Sequence, residues 1–220
     1  MITMSERLAQ LNRKSAFNIN NIICSANTQA VDSVVSGSLF LCAVEQQEQP
    51  SLRLLIDSEV KSVDCNDVQW ADNASLRNAG LALGKVNQSE KKSQTNNSLI
   101  IGIQKAMCDL FAEHLRHSYS YLANRTTGDT CLLEHGAVSQ LMAHAVANHN
   151  YLEHLASQYQ SDSSNDALLQ LFNQHANDLV QQITDLGGGR GALAGHSVEL
   201  KVVLNALTTV YLRGNGHANN

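Results

Sequence analysis

Nine histidines, five cysteines and a glycine run are the groups in this 220-residue chain whose types and spacing suggest chemistry. His114 and His117 stand three apart, a spacing that lets two imidazoles on one helix reach a shared metal ion. His144, His149 and His154 step by five, which at about 3.6 residues per turn spreads them around a helix instead of aligning them. There is no Glu-x-x-His pair of the di-iron bundle type, so the histidines read as surface or interface side chains and no metal site is expected. Cys24, Cys42, Cys65, Cys108 and Cys131 are widely spaced, odd in number and free of any C-x-x-C, the pattern of buried thiols in a reducing compartment. A cytoplasmic protein is expected. Arg125 stands where a helical stripe ends, a place at which a cation favours the helix dipole. Glu113, beside His114, reads as a solvated or interface carboxylate. One glycine suffices to stop a helix, so Gly187, Gly188 and Gly189 in succession carry more than a stop requires.

The elements that must position these groups fall into two kinds. Ser36–Glu45, Ser51–Val60 and Lys61–Trp70 are short apolar or β-branched runs between turn signals, the signature of strands. From Gly80 the pattern weakens into a Ser-, Asn- and Lys-rich stretch that reads as a surface linker. After Asn97 the period becomes helical. One stripe runs from Leu99 through Ile103, Ala106 and Leu110 to Leu122, and a second from Val138 through Leu152 to Tyr159. A third runs from Leu168 to Leu186 and stops at the glycines, and a fourth carries Val198 to Tyr211. The expected organisation is an N-terminal segment (1–30), a reduced β-domain (31–80), a linker (81–97), an antiparallel four-helix bundle (98–212) and a flexible tail (213–220). The fold class is α+β, mostly α.

Composition excludes several functions. With 43% hydrophobic residues the chain can bury a core, and a formal charge of -5 removes the basic footprint that phosphate-backbone binding needs, so no nucleic acid is expected. No run approaches the roughly 18 apolar residues of a membrane span. A single proline, against a usual share of about 5%, suits long uninterrupted helices.

The segment LGGGRGALAGHSVEL, from Leu186 to Leu200, resembles the C-terminal region of the acyl-CoA dehydrogenases, where a Gln-x-x-Gly-Gly-x-Gly-aromatic segment precedes the last helix. LIIGIQKAMCDLFAEHLRHSYSYLANR resembles that family's first C-terminal helix and its arginine, LLEHGAVSQLMAHAVANHNYLEHLA the next helix, and SVDCNDVQWADNASL the end of its middle β-domain. The likeness covers roughly residues 30 to 212 and is one of layout more than identity.

The resemblance implies the family's middle sheet and C-terminal bundle without its N-terminal helical domain, and FAD as the cofactor. Arg125 and the glycines Gly188, Gly189 and Gly191 match positions that contact the FAD pyrophosphate. The family's Gln is Asp185 here, its aromatic is Ala192, and Thr126, Thr127, Gly128 and Asp129 follow Arg125 where Phe-Gly is usual. The family's catalytic Glu falls at Leu212 or Arg213; some members place it on the first bundle helix, where Glu113 is the candidate. The function implied is that of an acyl-CoA dehydrogenase-like protein of the flavin-dependent acyl-thioester oxidoreductase lineage, impaired or inactive alone. The alternative is a non-enzymatic oligomerisation or partner-binding module derived from the same fold. The resemblance also implies acyl-CoA as ligand, a hetero-partner supplying the missing domain, and a homo-oligomer. The last agrees with Phe111, Tyr119, Tyr121 and Tyr151, which lie beyond one narrow core stripe.

Overall fold

A computed structural model describes residues 31–57, 59–87, 97–193 and 196–212. Two small sheets come first. In one, β1 (Ser33–Val34) runs parallel to β3 (Ser51–Ile56), which forms a hairpin with β4 (Glu59–Asp64). In the other, β6 (Leu81–Lys85) lies between β2 (Leu39–Ala43) and β5 (Gln69–Trp70), antiparallel to both. Alternation along β2 decides the layering. Phe40 and Cys42 join Leu52, Leu54, Ile56 and Val63 in a core between the sheets, whereas Leu41 between them joins the helical core. Gly84 is part of the same packing, because a Cβ there would stand 2.4 Å from the Phe40 ring, which meets Trp70 edge-on at 5.6 Å.

Two expectations are corrected in this region. The run Ser51–Val60, expected as one strand, turns back at Asp57, which adopts a φ of 51° that Asp tolerates better than most residues. The linker expected over 81–97 begins instead with β6, a central strand; residues 88–96 lie outside the described residues. A short helix, α1 (Ala74–Asn78), precedes β6, capped by Asn73, whose side chain accepts from the Leu76 amide at 3.0 Å.

The four stripes are four helices: α2 (Asn97–Ala123), α3 (Gly136–Ser161), α4 (Asp166–Leu193) and α5 (His196–Val210). Cross-links fix their directions. Asn97 Nδ2 donates to Ser163 Oγ and His149 Nε2 to the Cys108 carbonyl, both at 2.9 Å, so α3 returns along α2. Asn148 Nδ2 donates to the His175 carbonyl at 3.2 Å, and Asn173 Nδ2 to the Leu212 carbonyl at 2.9 Å, so each later helix reverses again. The fold is thus α+β and mostly helical, as the periodicity predicts. The only strands after residue 100 among the described residues are the two-residue β7 (Thr126–Thr127) and β8 (Thr130–Cys131), a hairpin within the α2–α3 connection. Sheet and bundle share one core, in which Val34, Leu41, Leu76 and Leu81 pack with residues of all four helices.

Two details of the helices also differ from expectation. Phe111 lies in the core at 1% exposure, while Tyr119 and Tyr151 are exposed. The third helix does not end at the glycines. It breaks at Gly188 (φ 58°, ψ -164°) and resumes to Leu193.

Candidate functional site

Arg125 begins the hairpin that caps α2. Its amide donates to the Leu122 carbonyl at 3.3 Å and its own carbonyl accepts from the Leu132 amide at 2.8 Å, so the hairpin is stitched to the helix end on both sides. The Cys131 thiol lies 3.3 Å from the Ala123 carbonyl and 3.6 Å from that of Leu122, two of the carbonyls a helix C-terminus leaves without intrahelical donors. The guanidinium sits over the Tyr121 ring at 5.1 Å from its centroid and Nη1 donates to the Tyr121 hydroxyl. The aromatic partner of Arg125 is therefore one turn upstream, on the helix, and not downstream in the hairpin. The Tyr121 to Arg125 spacing of i, i+4 was the sequence signal for it.

Gly188 occupies backbone space that is essentially reserved for glycine, and among the described residues nothing lies within 4 Å of where its Cβ would stand. Gly189 and Gly191 follow in the resumed turn. Asp185 accepts a hydrogen bond from Gln181 Nε2 at 2.9 Å, one turn earlier, which draws its carboxylate back along α4 and away from the break.

Because α2 to α5 alternate in direction, the α2–α3 connection with Arg125 and the α4–α5 connection with Gly188 lie at the same end of the bundle. Glu113 does not join them. It is half-buried on α2, twelve residues before Arg125, or about 18 Å along the helix axis. Leu212 is fully buried, with its carbonyl held by Asn173; Arg213 lies outside the described residues.

An exposed guanidinium and an unobstructed glycine backbone at one end of a bundle are suited to an anionic group such as a pyrophosphate. The histidines are dispersed by contrast. His149 is committed to Cys108, His175 Nδ1 donates to Asn148 Oδ1 at 2.9 Å, and His144 and His154 are exposed. Among the described residues no three His, Cys, Asp or Glu side chains converge as a metal site, and no helix is long and apolar enough to cross a membrane.

The sequence matches no protein-family model and no curated protein. Among solved structures, the chain is similar to glutaryl-CoA dehydrogenase from Mycobacterium smegmatis, with a TM-score of 0.50 at 12% identity, covering 82% of this chain and 57% of that one. The ChsE4-ChsE5 complex from Mycobacterium tuberculosis is also similar, with a TM-score of 0.49 at 13% identity over 81% of this chain and 58% of that one. The chain therefore spans less than two thirds of the length of either of these two structures. By its likeness to glutaryl-CoA dehydrogenase, this chain of small sheets packed on an antiparallel bundle has an acyl-CoA dehydrogenase-like fold.

Proposed function

We propose that the chain is an acyl-CoA dehydrogenase-like protein of the flavin-dependent acyl-thioester oxidoreductase lineage, impaired or inactive on its own. The observation that carries this reading is the placement of Arg125 and Gly188 at one end of the bundle. Arg125, oriented by Tyr121, would pair with the pyrophosphate of FAD, and the backbone around Gly188 would approach it without side-chain obstruction. Bound FAD would supply the hydride acceptor for an acyl-CoA. The impaired step is proton abstraction. By the resemblance the family's base falls at Leu212, which is buried, or at Arg213, and neither side chain can take up a proton from an acyl thioester.

We assign two kinds of partner to this reading, a hetero-partner that supplies the base, and further copies of the chain itself. We place the protein in the cytoplasm, a reading supported by Cys65, Cys108 and Cys131, which are free thiols. The second reading, a non-enzymatic oligomerisation or partner-binding module, is favoured by the burial of Leu212.

Titration of the purified chain with FAD, followed by its visible absorbance and by quenching of flavin fluorescence, separates the two. Saturable binding that weakens at least tenfold in Arg125→Ala supports the flavin lineage. No binding, or binding indifferent to Arg125, leaves the non-enzymatic module as the function.

A further inference from the structure

No further inference is drawn: the strongest candidate, the exposed surface of the α3–α4 pair, with Tyr151 and Leu171 open to solvent and no Lys or Arg from residue 126 to residue 189, carries nothing because nothing among the described residues shows what covers it.

Discussion

The hydroxyl of Tyr211, at the end of the last helix, accepts a hydrogen bond from the Leu41 amide in the middle of β2 at 3.0 Å. The same hydroxyl donates to the Val34 carbonyl at 3.1 Å, so one fully buried side chain joins the bundle to both sheets. Tyr211→Phe keeps the ring and removes the hydroxyl, leaving a buried N–H and a buried carbonyl without this partner. The expected loss is about 2 kcal/mol, because an unsatisfied buried polar group costs about 1–3 kcal/mol. Urea unfolding followed by the fluorescence of Trp70, the chain's one tryptophan and a residue of the sheet, and by helical circular dichroism checks this. The two signals should shift together, since sheet and bundle share a core.

Adjacent glycines should respond in opposite directions. At Gly188 an alanine is forced into glycine-only backbone space, at a cost of about 1–3 kcal/mol. At Gly187, which has no positive φ and has space around it, alanine should stabilise by about 0.4–1 kcal/mol through the unfolded state. Thermal melts of the two variants give the signs, and equal effects would contradict the break.

Gln104 lies in the buried stripe of α2 with no exposure, and neither its Nε2 nor its Oε1 has a hydrogen-bond partner among the described residues. Gln104→Leu, of similar size, should therefore stabilise the protein by about 1–3 kcal/mol, the cost of an unsatisfied buried polar group. The expected signature is a higher urea midpoint with an unchanged slope.

How much of the structure was legible in the sequence depends on the kind of signal each feature leaves. The four helices were readable because stripes such as Leu99, Ile103, Ala106 and Leu110 repeat a helical period over many turns. β6 was not, because Leu-Ala-Leu-Gly-Lys is short and lacks β-branched residues; pairing with β2 and β5 makes it a strand. The turn at Asp57 was hidden in a run whose two halves look alike. At the site, the common end of Arg125 and Gly188 follows from helix order alone. The hold of Tyr121 on Arg125, the retraction of Asp185 toward Gln181 and the burial of Gln104 depend on side-chain packing, to which a periodic pattern is blind.

The Cys108 thiol gives a pH dependence. Burial, and then the nearby Glu153 and Asp109 carboxylates, push it up to about 12. In the unfolded chain a thiol ionises near 8.5–9, so in the interval above that the native state holds a proton that the unfolded state has lost. The stabilisation is fully present below about pH 8.5 and is lost as pH rises toward 12. Urea midpoints measured from about pH 8 to 10.5 should fall, and Cys108→Ala should reduce that slope. An unchanged slope in the variant would remove Cys108 from the account.

The central proposal is that this chain, which has an acyl-CoA dehydrogenase-like fold, is impaired or inactive on its own. It is tested most directly by turnover of the isolated chain with saturating FAD, a panel of short and long acyl-CoA thioesters and an artificial electron acceptor. A missing general base alone forfeits a factor of about 100 to 10,000, so against a typical rate near 10 per second the expected turnover is below about 0.1 per second. A rate near 10 per second would contradict the account, and its loss in Glu113→Gln would identify Glu113 as the base.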